Sequence, residues 1–215
     1  MRALTIVVPA RNEARVVGKV LRRLQQQFPD AELLLVNNGS TDDTEAVALA
    51  TGCRVINEPA PGKGRAMLAG ARAASNDWLL FHDADTEYET ADAVQVVATA
   101  MLTGHCAIGV RMVAFDHVRP SSWLANRVIQ WMLHRRYGVW VRDVLTGTRC
   151  MRRSLFLSLD ASAKGFGIET QLTLGCIKRG VPIDEVPVRY IPRSKAQGKK
   201  IRAWHLWSLM RIAMS

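Results

Sequence analysis

The pentapeptide His82-Asp83-Ala84-Asp85-Thr86 follows the apolar run Trp78-Leu79-Leu80-Phe81 and sets two carboxylates two residues apart at the C-terminal end of a predicted buried strand. In an open α/β sheet that is the edge where ligands bind. Strand geometry, with its period of two, points Asp83, Asp85 and Glu87 to the same side. Three acidic groups so close repel one another unless a cation joins them, and oxygen ligation selects Mg²⁺ or Mn²⁺. A turn or a helix N-terminus would also favour such residues, through capping and the macrodipole.

Three earlier loops carry further chemistry. Pro9-Ala10-Arg11-Asn12-Glu13 combines a planar cation with polar groups, and Asn37-Asn38-Gly39-Ser40-Thr41-Asp42-Asp43-Thr44 puts a tight turn before residues able to cap a helix. Their surplus of donors and acceptors suits a base and ribose lying across two adjacent strand ends. Pro61-Gly62-Lys63-Gly64-Arg65 sets small residues around a cation at a helix start, a plausible place for phosphate. It is not a Walker A loop: position 57 is Asn rather than Gly, and Lys63 is followed by Gly64 rather than Ser or Thr.

These loops need a scaffold that brings them to one edge. Strand-like runs Leu4 to Val8, Glu32 to Val36, Cys53 to Asn57 and Trp78 to His82 alternate with helical patterns near 13–27, 42–51 and 64–74. The strands are nearly continuous apolar segments, as expected when helices cover both faces of a parallel sheet. Right-handed crossovers then put the loop after each strand on the same edge. A helix near 91–103 and a strand Cys106 to Val110 follow. Beyond them the pattern predicts a helix over 121–136 after Pro120, a strand over Asp143 to Met151, a helix over 167–179 and a late edge strand Val186 to Ile191. In the first of these helices Leu124, Val128 and Trp131 share one face, and Arg127, Gln130 and His134 another. The fold class is α/β, with a mostly parallel, Rossmann-like central sheet and helices on both faces.

With 215 residues and 48% hydrophobic content the chain has enough material for one core and one domain. Lys and Arg number 29 against 19 Asp and Glu, and the resulting charge of +10 implies an acidic partner: a nucleotide, a phosphorylated lipid, an anionic membrane or nucleic acid. No recognised nucleic-acid motif accompanies the charge, and an acidic cluster without a metal would repel phosphate, so nucleic acid is not expected. Cys53, Cys106, Cys150 and Cys176 lie far apart without C-x-x-C pairing, which indicates neither a zinc site nor a disulfide framework and fits a reducing cytosol. No apolar stretch approaches bilayer length and no signal-peptide pattern opens the chain, so the expected location is cytoplasmic, with any membrane contact peripheral. Trp123, Trp131, Trp204 and Trp207, set among cations, suit an anionic membrane surface on the cytoplasmic face, or else packing or an oligomer interface.

Taken in order, Pro9-Ala10-Arg11-Asn12-Glu13, Asn38-Gly39-Ser40-Thr41-Asp42, Gly62-Lys63-Gly64 and Asp83-Ala84-Asp85 make a chain that resembles family 2 glycosyltransferases of the GT-A fold. The resemblance continues through Asp143-Val144-Leu145-Thr146-Gly147-Thr148-Arg149, Gly165-Phe166-Gly167-Ile168-Glu169 and Glu185-Val186-Pro187-Val188-Arg189-Tyr190. It is most similar to the dolichyl- or polyprenyl-phosphate mannosyl- and glucosyltransferase branch. The resemblance implies a single domain over 1–215, with a nucleotide-sugar-binding half (1–110), an acceptor-binding half (111–198) and a basic amphipathic C-terminal helix (199–215). It implies inverting transfer from a nucleotide-sugar donor to a polyprenyl or dolichyl phosphate, with Mg²⁺ or Mn²⁺ as cofactor.

In the terms of that resemblance, Pro9, Arg11, Glu13, Asn38, Lys63 and Asp83 bind the donor, and Asp83, Asp85 and Glu87 hold the metal. Arg111, Thr146, Arg149 and Arg193 meet the acceptor; Asp85, Arg149 and Glu169 form the catalytic set. Glu169 would act as a base only toward a hydroxyl acceptor, because a phosphate arrives as a ready nucleophile. The sequence departs from the family at three places: Arg11 stands where an aromatic residue often faces the base, Asn37-Asn38 replaces an Asp-Asp pair, and Glu87 replaces a Gln. An amide both donates and accepts whereas a carboxylate only accepts, so the base that Asn38 would read is left open. The alternatives are a family 2 enzyme with a soluble hydroxyl acceptor and a nonenzymatic nucleotide-sugar-binding adaptor. A pyrophosphorylase is disfavoured, since the opening loop lacks a Gly-rich run.

Overall fold

The runs Leu4–Val8, Leu33–Val36 and Trp78–Phe81 are buried throughout, and segments apolar on both faces can only lie in the middle of a covered sheet. In the computed structural model, which describes residues 3–112, 120–159 and 167–192, they do. Seven strands form one sheet: β1 (Leu4–Ala10), β2 (Glu32–Asn37), β3 (Arg54–Asn57), β4 (Trp78–Phe81), β5 (Cys106–Met112), β6 (Arg149–Arg152) and β7 (Ile183–Arg189). Their order is β3-β2-β1-β4-β6-β5-β7. β1 pairs in parallel with β2 and β4, β2 with β3, and β5 with β7; β6 alone runs antiparallel to its neighbours, β4 and β5.

The helices α1 (Val17–Gln27), α2 (Thr44–Leu49) and α4 (Asp92–Thr103) cover one face, where Val20, Leu24, Val96 and Val97 meet Ile6, Val8 and Leu35. On the other face α3 (Lys63–Ala73), α5 (Pro120–Tyr137), α6 (Arg153–Ser158) and α7 (Ile168–Lys178) bring Met67, Ile129, Phe156 and Leu172 against Val7, Leu79 and Ile108. This is the mostly parallel α/β architecture expected. Its consequence for function is that the loops after β1, β2, β3 and β4 leave the same edge of the sheet.

Three differences from the sequence expectation have local causes. The strand expected over Asp143 to Met151 contracts to β6, because the Val144 and Gly147 N–H groups donate to side chains instead of a neighbouring strand. Asn126 accepts from the Val144 N–H at 3.0 Å, and the Tyr88 hydroxyl accepts from Gly147 at 2.7 Å. The six residues of α6 follow β6 directly and are too few to display a helical period. Finally β7 starts at Ile183 and includes Pro187, which an edge strand tolerates because no neighbour needs the missing N–H. Among the described residues no helix is long and apolar enough to cross a membrane. The tail helix expected over 199–215 lies outside the described residues, as do Gly165 and Phe166.

Candidate active site

The first two loops are stitched together by short polar side chains. Asn12, with φ 57°, accepts the Thr41 N–H on its Oδ1 at 2.8 Å, and its own N–H donates to Ser40 Oγ at 3.1 Å. The Glu13 N–H donates to Thr44 Oγ1 at 2.8 Å. Arg11 stays exposed beside them, and Pro9 is half-buried within β1. Asn38, expected to read a base, is buried and its amide is engaged within the protein. Its Nδ2 donates to the carbonyls of Glu58 and Ala60 at 3.1 and 2.8 Å, and its Oδ1 accepts the Gly62 N–H at 2.7 Å. Asn38 thus shapes the loop that leads into Lys63. Gly62 itself sits at φ 144°, a conformation that a side chain would oppose, so the turn into α3 depends on glycine.

Lys63, first residue of α3, reaches across the sheet edge to two carboxylates. Its Nζ lies 2.5 Å from Asp83 Oδ1 and 2.6 Å from Glu169 Oε1. Burial works against the lysine charge, but Asp83 and Glu169 outweigh it and hold its pKa above the ordinary lysine value. Burial would raise Asp83 in turn; Lys63 overcomes it and keeps that carboxyl below its usual range. The pair and Glu169 form a triad linking the loop after β4, the start of α3 and the first turn of α7. Gly147 presses against the same carboxylate: a Cβ there would overlap Asp83 Oδ2 and Cγ. Just before the triad, His82 is buried and held below the ordinary histidine pKa by that burial. Its Nδ1 donates to the Asp83 carbonyl at 2.9 Å, while Nε2 has no partner among the described residues.

Asp85 and Glu87 are placed differently from the sequence expectation. β4 ends at Phe81, so the alternation of a strand does not extend through 83–87, and the three carboxylates are not aligned as one row. Asp85 accepts the Glu87 N–H on Oδ1 at 3.0 Å. Glu87 instead accepts the Tyr190 hydroxyl at 2.6 Å, and burial followed by this hydrogen bond pushes the Tyr190 phenol up. Among the described residues no three His, Cys, Asp or Glu side chains form a ready-made metal cage. The neighbouring pair Asp83 and Asp85 still offers the hard oxygens that suit Mg²⁺ or Mn²⁺, ions commonly held by one or two carboxylates and completed by a substrate's phosphates. The donor set fits such a cation.

In the second half two of the residues expected at the acceptor are buried. Arg149, expected at the acceptor and in catalysis, is 2% exposed at the head of β6. Its Nη2 donates to Thr173 Oγ1 at 2.8 Å and approaches the Glu169 carbonyl at 3.4 Å; Nη1 has no partner among the described residues. It braces the turn of α7 that carries Glu169. Thr146 is likewise buried, its hydroxyl 3.4 Å from that of Tyr88. Arg111 is held by Asp143 through Nε and Nη2, both at 2.7 Å, and lies 5.1 Å over the Tyr190 ring. Arg193 falls outside the described residues. The residues that sequence reading missed are Tyr88 and Asp143. Tyr88, also edge-on to Tyr190 at 5.0 Å, fixes Gly147, and Asp143 fixes Arg111. Asp143 stood within a quoted motif; Tyr88, one aromatic after an acidic run, carried no signal.

Comparison with known proteins agrees with this architecture. The pattern of glycosyl transferase family 2 matches residues 5–159. The chain is 32% identical over 201 residues to glycosyltransferase AglJ of Haloferax volcanii, covering 89% of this chain and 64% of that protein. It is 29% identical over 226 residues to polyprenol monophosphomannose synthase of Mycolicibacterium smegmatis, covering 92% and 82%. Among solved structures, glucosyl-3-phosphoglycerate synthase of Mycobacterium tuberculosis in complex with Mn²⁺, UDP-glucose and phosphoglyceric acid superposes with a TM-score of 0.79 at 25% identity, covering 99% of this chain and 80% of that one. The expected GT-A fold is therefore the observed one. With the family pattern spanning most of its length, the chain belongs to glycosyl transferase family 2.

Proposed function

We propose that the protein transfers a sugar from a nucleotide-sugar donor to the phosphate of a polyprenyl phosphate, with inversion at the anomeric carbon. The observation that carries this reading is the triad of Asp83, Lys63 and Glu169 at the edge where the nucleotide-binding loops meet. A cation fixed there is ready for a diphosphate, and it occupies the carboxylate best placed to serve as a base. Glu169 bound to Lys63 at 2.6 Å is poorly disposed to take a proton from a hydroxyl. A phosphate acceptor needs no such base, since it is already anionic at neutral pH. Catalysis then rests on positioning and on neutralising the leaving group.

In this mechanism the loops after β1 and β2 seat the nucleoside, with Pro9, Arg11 and Glu13 along one side and Asn38 ordering the floor. Lys63 turns part of its charge to the donor diphosphate. Asp83 and Asp85 would hold Mg²⁺ or Mn²⁺, which supplies electrostatic stabilisation to the departing nucleoside diphosphate. Arg111 presents charge to the acceptor side, oriented by Asp143 and Tyr190. The Mn²⁺ and UDP-glucose of the mycobacterial synthase complex support the donor and cation, and the polyprenol monophosphomannose synthase supports the acceptor.

A second reading has its own support. The structurally similar mycobacterial enzyme was crystallised with phosphoglyceric acid, a soluble phosphorylated molecule. If this chain glycosylates the hydroxyl of such a compound, Glu169 must leave Lys63 to act as base. Nucleotide sugars tested against polyprenyl phosphate and phosphoglycerate, with Mg²⁺ or Mn²⁺, separate the two by product mass. A lipid-linked sugar phosphate formed at near wild-type rate by Glu169→Gln supports the proposal. Product with phosphoglycerate alone, abolished in Glu169→Gln, would replace it with the second reading.

A further inference from the structure

The helix α5 packs on the sheet through Ile129 and Leu133, both fully buried. The face turned away from the sheet is not polar. Trp123, Leu124 and Trp131 are 52%, 51% and 62% exposed, and Trp140, just beyond the helix, is 48% exposed. Leu124, Val128 and Trp131, which the apolar pattern grouped as one stripe, thus point outward or lie at the margin rather than into the core. Spacing of four residues puts Trp123, Arg127 and Trp131 in one row along the helix. The Arg127 guanidinium lies between two of the indoles, 5.5 Å from the Trp123 ring and 6.0 Å from that of Trp140, and His134 meets Trp140 edge-on at 5.5 Å. Trp140 also lines a shallow open cleft with Val139, Ile177, Val181 and Ile183.

Charge identifies what this face would meet. From His117 to Arg142 the sequence has five arginines, three of the chain's six tryptophans and no Asp or Glu. A protein partner can be recognised by apolar area alone. Of these arginines Arg142 is paired with Glu185 at 3.4 Å. Exposed indoles among the others, on a stretch with no acidic residue of its own, match instead an interface that is apolar within and anionic at its surface. The face also begins at the right place, because α5 follows β5, whose last residues include Arg111 on the acceptor side.

We infer that the outer face of α5, with Trp140, docks the protein peripherally on an anionic bilayer, and that the acceptor is met from that surface. The second clause rests on the proposed lipid-phosphate acceptor; the docking does not. The indoles lie at headgroup depth while Arg127, Arg135 and Arg136 engage lipid phosphates, so attachment weakens with salt.

The test is flotation of the full chain with vesicles of phosphatidylcholine and phosphatidylglycerol that contain no polyprenyl phosphate. Wild type should float at low salt and be released at high salt. Trp123→Ser/Trp131→Ser should partition roughly tenfold or more less strongly, with unchanged circular dichroism and unchanged transfer to detergent-dispersed acceptor. Absence of wild-type flotation overturns docking, and so does a double variant that floats as well as wild type. Light scattering that shows a wild-type dimer converted to monomer by the same substitutions would also overturn it, by giving the face to a second copy. Failure of transfer to every lipid phosphate, with flotation intact, would refute the acceptor and leave docking standing.

Discussion

Replacing Lys63 with Met keeps a side chain of similar length and removes the charge that separates two carboxylates. Asp83 Oδ1 and Glu169 Oε1 both lie within 2.6 Å of Nζ, so they are no more than about 5 Å from each other. Like charges at that separation repel by about 3 kcal/mol at an effective dielectric constant near 20. That repulsion corresponds to roughly two pKa units for one of the two carboxyl groups. The sign follows from proton binding. In the variant one folded-state carboxyl has a raised pKa, the folded state binds more protons than the unfolded chain, and stability is regained as pH falls through that raised value. In wild type Asp83 is depressed, so its contribution is intact across this range and is lost only under stronger acid. Urea unfolding should therefore show Lys63→Met less stable than wild type by about 3 kcal/mol near pH 8, with the gap narrowing to about 1 kcal/mol near pH 5. Adding Glu169→Gln should recover most of the loss at the higher pH. Equal stability at both values, or a gap that does not change with pH, would refute the charged triad.

Asp85→Ala should abolish transfer while leaving the unfolding midpoint close to wild type, since Asp85 lies in the loop after β4; sugar transfer by wild type in chelator would refute its assignment to a cation. Gly147→Ala forces a methyl group into the Asp83 carboxylate and should cost about 1–3 kcal/mol by urea unfolding, together with most of the transfer rate. Normal activity in that variant would mean that Asp83 need not stay where it is. His82 stays neutral in the fold while the unfolded chain takes up a proton below about pH 6.5. The unfolded state then binds more protons, and stability declines as pH falls through that window by up to about 1.4 kcal/mol per unit. His82→Gln should flatten the decline; an unchanged slope would refute the assignment.

Much of the fold was legible because its physics is local. Val7, Leu34 and Leu80 belong to runs apolar on both faces, and such runs separated by amphipathic helices admit few arrangements other than a covered parallel sheet. The edge that carries Asp83, Lys63 and Arg11 follows from chain direction alone. The composition likewise marked the Trp- and Arg-rich stretch around α5 as chemically distinct. The pairing of side chains was decided elsewhere. Lys63 and Glu169 are 106 residues apart, and Tyr190 and Glu87 are 103 apart; no local pattern connects them. Strand alternation suggested one row for Asp83, Asp85 and Glu87, but a strand that stops at Phe81 imposes no such row. Arg149 is hydrophilic by composition and would be expected at a surface; the antiparallel insertion of β6 between β4 and β5 buries it under α7. The Asp83-Ala84-Asp85 sequence by itself thus determined an acidic loop at a ligand-binding edge. Only the tertiary structure decided that Asp83 shares Lys63 with Glu169 and that Glu87 turns to Tyr190, because ion pairing and burial depend on which distant segments the sheet brings together.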